Sequence, residues 1–376
     1  MDAPPILDVH ELQVAFVSRD GLLCAVDGVS LRVGRGRTVA LVGESGCGKS
    51  ATALAILRLI PASRTAIEGQ VLFDDPNAPP STGNATDLLR LNDESMRRIR
   101  GNRIAMIFQE PMTALNPVYT VGEQIVEVIE LHRGFKRREA WHAAEEMLKR
   151  VRIADAGRRM HDYPHQLSGG MRQRAMIAMA LACRPALLLA DEPTTALDPT
   201  VQREILHLLG ELRAELDMSV LLITHDLGVV AEAAEDVYVM YAGRIVEYGP
   251  VGHVLQHPLH PYTQGLLRCT PRLGRSPDVH RHRGLALPSR HGMRLPTIPG
   301  TVPDPTSPPG GCRFHPRCAV TADRATGNGR TTLAVKSEIG PAVLRRCVEE
   351  FEGEPSGRPL LREHEPGHFV ACWEAG

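Results

Sequence analysis

Gly43-Glu44-Ser45-Gly46-Cys47-Gly48-Lys49-Ser50 (GESGCGKS) is the stretch that decides the fold. It follows the apolar run Thr38–Val42 and precedes a segment of helical spacing, Ser50–Leu59, which the sequence ends at Pro61. Strand, glycine-rich turn and helix in that order make a P-loop. The glycines Gly43, Gly46 and Gly48 let backbone amides turn inward around phosphate oxygens. The helix start adds a favourable dipole. Lys49 is expected to reach the β- and γ-phosphates, and the Ser50 hydroxyl to bind Mg²⁺. Glu44, Ser45, Cys47 and Ala51 complete the loop, Cys47 through its backbone alone.

The second half of such a site is the segment Ala186–Pro193, ALLLADEP. Its apolar strand delivers Asp191 and Glu192 to a carboxyl end. Asp191 suits the Mg²⁺ shell. Glu192, one residue on, points elsewhere and is placed to polarise an attacking water.

Outward from these motifs, apolar runs alternate with helical stretches. The expected strands are Val39–Val42, Ile104–Phe108, Leu187–Ala190 and Val220–Thr224. The expected helices include Val121–His132, Arg138–Val151, Gly170–Ala182 and Val201–Leu216. Short strands separated by helices imply an α/β fold with a largely parallel sheet and nucleotide chemistry at the strand ends. Composition changes near residue 255, where Pro and Gly crowd in, culminating in IPGTVPDPTSPPGGC at 298–312. A second Pro/Gly/Asn-rich stretch at 74–86 reads as a surface loop.

The chain has 376 residues, and 43 basic side chains balance 44 acidic ones, for a net charge of −1. No sequence-wide basic field for nucleic acid exists. No apolar run reaches the ~18–20 residues of a membrane span; Ala175–Ala190 is interrupted by Arg184 and Pro185. The N-terminus lacks the basic and apolar regions of a signal peptide. A cytoplasmic chain is expected, with any membrane role carried by a partner.

Leu167–Arg174, LSGGMRQR, resembles the signature motif of ABC-type ATPases. Gln109 in IFQEP resembles their Q-loop, Ala196-Leu197-Asp198 the D-loop, and His225 in LLITHD the switch histidine. Phe16 stands where the family places an aromatic that stacks on adenine, although an aromatic in a strand is also an ordinary core residue. The resemblance covers residues 6–270. It implies a mainly parallel sheet core, an antiparallel β subdomain and a helical subdomain at about 110–182. It also implies head-to-tail pairing of two cassettes. Ser168, Gly169 and Gly170 of one would then meet the γ-phosphate held by the other, with Asp198 bridging the sites. Gln109 would touch Mg²⁺ or the water, and His225 the γ-phosphate and Glu192.

GESGCGKS, FQEPMTALNP, HPYTQGLL and the tail IPG…GCRFHPRC…C…HFVACW narrow the resemblance to the peptide/nickel importer branch. This implies residues 1–262 as the nucleotide-binding domain and 263–376 as an irregular extension carrying Cys312, Cys318, Cys347 and Cys372. The intervals between these cysteines are five, 28 and 24 residues. That is not the paired spacing of a zinc finger. Spacing alone leaves zinc, an iron–sulfur cluster or plain thiols open. The branch associates this tail with a 4Fe–4S cluster. The insertion 322–344 departs from the branch pattern and sets Cys347 apart from the others. His315 is a spare ligand or a packing residue.

The implied function is the ATPase subunit of an ABC importer of di- or oligopeptides. A nickel or other small-solute importer of the same branch is the alternative. The implied partners are a paralogous cassette in a heterodimer, two integral membrane permeases and an external binding protein, with no nucleic acid. The implied place is the cytoplasmic face of the inner membrane. A ribosome- or DNA-directed ABC ATPase fits less well, because such chains carry two cassettes or coiled-coil insertions. An exporter subunit would lack the HPYT segment and the cysteine tail.

Overall fold

The apolar runs become strands with every residue buried: β3 (Thr38–Val42), β7 (Leu187–Asp191) and β8 (Ser219–Thr224). With β6 (Ile104–Ile107) and β9 (Asp236–Tyr241) they form a parallel core in the order β6-β7-β8-β3-β9. A strand covered on both faces needs no polar alternation, which is why these runs are continuously apolar. Alternate residues serve two cores. Leu188 and Ala190 face the helices, whereas Leu187 and Leu189 face the other layer. The computed structural model describes residues 4–18, 21–76, 85–109, 114–195, 197–269, 297–326, 332–334, 342–348 and 359–374.

The antiparallel layer contains β1 (Leu7–Ser18), β2 (Gly21–Val33), β4 (Thr65–Phe73) and the short β5 (Thr86–Asp87), in the order β2-β1-β4-β5. On the opposite face pack the helices Val121–Arg133, Arg137–Arg150 and Gly169–Leu181. The first begins with a capping box between Thr120 and Glu123. The surface-loop stretch at 74–86 is described at its two ends only. Asp74 and Asp75 pair there with Arg35 and Arg103.

Helix ends shift by one to three residues from the sequence reading, and three of these shifts have a capping cause. The helix after the P-loop stops at Ile56, ahead of Leu59. Arg58 takes φ 51°, and the Leu59 and Arg58 amides donate to Leu54 and Ala55. This closes a Schellman motif before Pro61 is reached. The helix expected from Val201 begins at Pro199, because Asp198 caps it and Pro suits the first helical position. Gly169, rather than Gly170, opens its helix under a Ser168 cap.

The tail is woven into the sheet. β10 (Arg244–Pro250) runs antiparallel to β9. Residues Thr332–Ala334 and Ala342–Leu344 form a separate hairpin, β11 and β12. Beyond β10 the sheet adds β14 (His368–Val370) and then β13 (Arg362–Glu365). The division at 262/263 falls inside the helix Pro261–Cys269. Phe314 and Cys318 share a core cluster with Val42, Tyr241 and Tyr262. A buried carboxylate ties these parts together. Glu247 accepts from the Leu259 amide at 2.8 Å, the His260 amide at 2.9 Å and His368 Nε2 at 2.8 Å.

Candidate functional site

β3 ends at Val42 and the chain turns directly into the phosphate loop. Gly48 is the N-cap of the following helix, with φ 108° and no side-chain cap. The first helical amides are therefore left to an anion. A Cβ on Gly48 would lie 2.3 Å from the Ala25 carbonyl oxygen, so only glycine fits. Lys49 is buried, and its ammonium donates to the carbonyls of Gly43 at 2.8 Å and Glu44 at 2.9 Å. Ser45 and Gly46 are exposed at the loop's crest. The Cys47 thiol is buried and its pKa is pushed up by that burial. Its sulfur lies 3.8 Å from the Lys49 ammonium.

Asp191, at the end of β7, is buried beside this loop, where the nearby Ser50 hydroxyl and Lys49 ammonium favour its charged form. Burial raises its carboxyl pKa, and Oδ1 has no hydrogen-bond partner. A buried carboxylate with an orphan oxygen beside a serine hydroxyl is a half-built site for a hard cation.

Glu192 leaves the strand at φ 47°, which swings its side chain away from Asp191. Its Oε2 accepts from Gln109 Nε2 at 3.2 Å and from Thr195 Oγ1 at 2.8 Å. Its Oε1 stands 3.0 Å from His225 Nδ1. Burial pushes its pKa up, but the bonds from Thr195 and His225 outweigh that and hold it below the ordinary value. Glu192 therefore remains a carboxylate at neutral pH. Sequence reasoning had no role for Thr195; its signal was a hydroxyl three residues past the glutamate, across a turn closed by the Thr195 amide on the Glu192 carbonyl at 3.1 Å.

The structure thus gathers Lys49, Ser50 and Asp191 into one group and Gln109, Glu192 and His225 into an adjoining one. It places the other site residues elsewhere. Phe16, in β1, is half-buried against the core that contains Leu41 and Ile56. Ser168 and Gly169 are exposed, and the Ser168 hydroxyl accepts from the Met171 amide at 3.3 Å. A Cβ added at Gly169 would meet the Leu197 side chain at 4.0 Å, and one at Gly170 the Val201 side chain at 3.1 Å. Asp198 caps its helix by accepting from Thr200 and Val201. Ala196 of the D-loop motif, and residues 110–113 that follow Gln109, lie outside the described residues.

A second centre lies in the tail. Cys312, Cys318, Cys347 and Cys372 all line one small cavity, together with His260 and His315. Cys347 is part of this ring despite the insertion before it. Its carbonyl accepts from the Cys312 amide at 3.0 Å. Burial, reinforced by the neighbouring thiols, raises the Cys312 pKa and pushes that of Cys318 up to about 12. His315 turns Nδ1 to the Cys312 carbonyl at 2.8 Å. His260 accepts the Tyr262 amide on Nδ1 at 3.1 Å, so Nε2 carries the proton. That Nε2 is buried without a partner, and burial holds the ring neutral with a pKa near 3. Among the described residues no three His, Cys, Asp or Glu side chains are arranged to hold a metal ion.

Two residues without a role in the sequence reading, Arg317 of the tail and Tyr262 at the end of the nucleotide domain, reach the phosphate loop. Arg317 pairs with Glu44, and the Tyr262 hydroxyl accepts from the Glu44 amide.

Comparison with known proteins places the chain among its relatives. Residues 26–195 match the family described as ABC transporter, and residues 246–324 match the oligopeptide/dipeptide transporter C-terminal region. A putative peptide import ATP-binding protein of Brucella melitensis is 52% identical over 346 residues, covering 92% of this chain and 98% of its own. A probable peptide ABC transporter ATP-binding protein of Sinorhizobium fredii is 45% identical over 371 residues, with 98% and 95% coverage. Among solved structures, the dimeric ATP-binding cassette MJ0796 bound to ADP and Pi superposes with a TM-score of 0.56 at 29% identity. It covers 65% of this chain and 98% of its own. A cassette of the cbiONQ complex of Clostridium perfringens gives 0.53 at 27% identity, covering 68% and 92%.

Proposed function

The chain belongs to the ATP-binding subunits of oligopeptide/dipeptide ABC importers, and from that premise we propose how its residues divide the work of hydrolysing ATP to drive peptide uptake. The observation that carries the assignment is the Glu192 carboxylate, held by Gln109, Thr195 and His225 beside the orphan oxygen of Asp191.

The amides of Gly43–Ser50 and the start of the following helix bind the phosphates, with Ala51 in the first turn. Lys49 exchanges its two loop carbonyls for phosphate oxygens. Asp191, Ser50 and the Gln109 carbonyl oxygen would hold Mg²⁺, which supplies charge neutralisation at the phosphates. Glu192 orients and polarises the attacking water, while His225 keeps the carboxylate in position and faces the γ-phosphate. Phe16 stacks on adenine. Ser168, Gly169 and Gly170 present an exposed helix start to the nucleotide of a second cassette, and Asp198 lies at that junction. The dimeric form of the related cassette supports this pairing.

The second cassette is a paralogue, and two membrane permeases and an external binding protein complete the importer. No helix among the described residues is long and apolar enough to cross a membrane. The subunit's proposed place of work is the cytoplasmic face of the inner membrane, reached through its permeases. Residues 1–262 are assigned to the nucleotide domain and 263–376 to the extension.

For the tail we assign the four thiols to a 4Fe–4S cluster. A single zinc needs four sulfurs within about 3.8 Å of each other, given a Zn–S bond of ≈2.3 Å in tetrahedral geometry. The four thiols share one small cavity, and a cluster spreads its sulfur ligands over several irons instead of one. The unpartnered Nε2–H of His260 supplies a buried donor of the kind that tunes such sulfurs.

Two measurements test these assignments. Lys49→Ala is expected to weaken ATP binding by about 10–100-fold, the worth of charge-assisted hydrogen bonds to phosphate. Unaltered affinity in an equilibrium titration would remove the loop as the phosphate site. Anaerobically purified protein is expected to carry about four irons and four acid-labile sulfides per chain, both lost in Cys318→Ser. Zinc or no metal would reduce the tail to a structural appendage.

A further inference from the structure

We propose that Arg317, far along the chain in the extension, is a positioning residue for the phosphate loop, neutralising Glu44 and turning it away from the nucleotide. This rests on reading Gly43–Ser50 as the ATP phosphate site.

Arginine is almost never fully buried unless paired. Arg317 is 4% exposed, and each guanidinium nitrogen has a partner. Nε donates to the Pro299 carbonyl at 2.9 Å. One terminal nitrogen donates to Glu44 Oε2 at 2.8 Å and to the Tyr241 hydroxyl at 3.3 Å; the other donates to Glu44 Oε1 at 3.2 Å. The planar group also lies over the Tyr241 ring, 5.8 Å from its centroid. This is the fork-on-carboxylate geometry that lysine cannot reproduce.

Glu44 is the only charged residue of the loop besides Lys49. All its polar groups are engaged. The carboxylate is on Arg317, the amide donates to the Tyr262 hydroxyl at 2.8 Å, and the carbonyl accepts from Lys49 Nζ at 2.9 Å. An anion in a loop built to cradle a triphosphate repels the ligand unless a cation cancels it. Arg317 does so and fixes the side chain at the same time. The loop then enters binding with its direction set, which lowers the ordering cost of capture. Arg317 directly precedes Cys318, so the seat of the cysteine cavity and the phosphate loop are joined through one ion pair.

The test is equilibrium ATP binding and steady-state hydrolysis by the full chain in its importer complex. Arg317→Met is expected to raise the ATP dissociation constant about tenfold, with KM following and kcat at saturating ATP nearly unchanged. Adding Glu44→Gln to Arg317→Met is expected to restore most of the affinity, since the uncancelled charge is removed. Arg317→Lys, which keeps the charge but loses the fork, is expected to fall between Arg317→Met and the natural chain. It serves as the readout if Arg317→Met does not fold. Unchanged affinity in these variants, or a double variant no better than Arg317→Met, overturns the proposal. Lys49→Ala is measured alongside. If it too leaves affinity intact, the phosphate-site reading falls; if it alone weakens binding, only the role of Arg317 does.

Discussion

Glu192→Gln lowers ATP turnover by about 10³-fold while leaving ATP affinity within about twofold of its original value. The substitution keeps the shape and removes the charge. Gln can still fill the place between Thr195 and His225, but one of its ends now presents an amide where two donors converge on Oε2. Asp191 and Ser50, which serve the metal, are untouched, as is Lys49. Binding therefore persists. The water, by contrast, loses the carboxylate that polarises it, and general-base assistance is worth about 10²–10⁴ in rate. The low pKa of Glu192 sets the character of this base. Burial works against the charge, and the bonds from Thr195 and His225 restore it. The group is thus ionised at working pH, and orienting the water matters as much as accepting its proton. Phosphate release at saturating ATP, read beside a binding titration, decides the matter. Turnover within tenfold of normal would remove Glu192 as the activating group.

Much of this site was legible because its parts are local. A buried apolar strand followed by two acids places Asp191 at a sheet end, and GESGCGKS names a loop whose conformation glycine dictates. The parallel sheet followed from runs too apolar to have a wet face. The helix ends were less legible. The stop at Ile56 depends on Arg58 adopting a left-handed backbone, a conformation that favours glycine and is not written in the residue type. The Pro199 start was hidden because Asp198 had been read only for its place in the D-loop, when its carboxylate also caps a helix. Long-range pairs were legible only where a motif named both partners, as for Glu192 and His225. Glu247 meets His368 across 121 positions, and Glu44 meets Arg317 across 273. Nothing in composition or periodicity connects such residues. The four cysteines were visible as a set, but their closure around one cavity depends on β14 returning to β10 after the insertion.

Ser168→Arg should silence the composite site while leaving the chain folded and able to bind ATP at its own loop. Ser168 is exposed, and its structural contribution is one cap bond, from the Met171 amide. Losing such a cap costs about 1 kcal/mol, too little to unfold a domain of this size. A helix start with Gly169 and Gly170 behind it offers bare amides to an approaching phosphate. A guanidinium at that point fills the gap through which the second cassette's nucleotide must enter. Preorganised donors of this kind are worth about 10²–10³ in rate when one is lost, and steric exclusion removes the whole set. The expected result is therefore at least a hundredfold fall in turnover at the nucleotide held by the partner, with a melting temperature lowered by only about 2–4 °C and unchanged ATP affinity at Lys49. Combining the variant with a Lys-to-Ala change in one cassette or the other identifies the affected site. If a complex containing Ser168→Arg hydrolyses ATP at full rate, the exposed helix start does not meet nucleotide, and the catalytic unit is smaller than two cassettes.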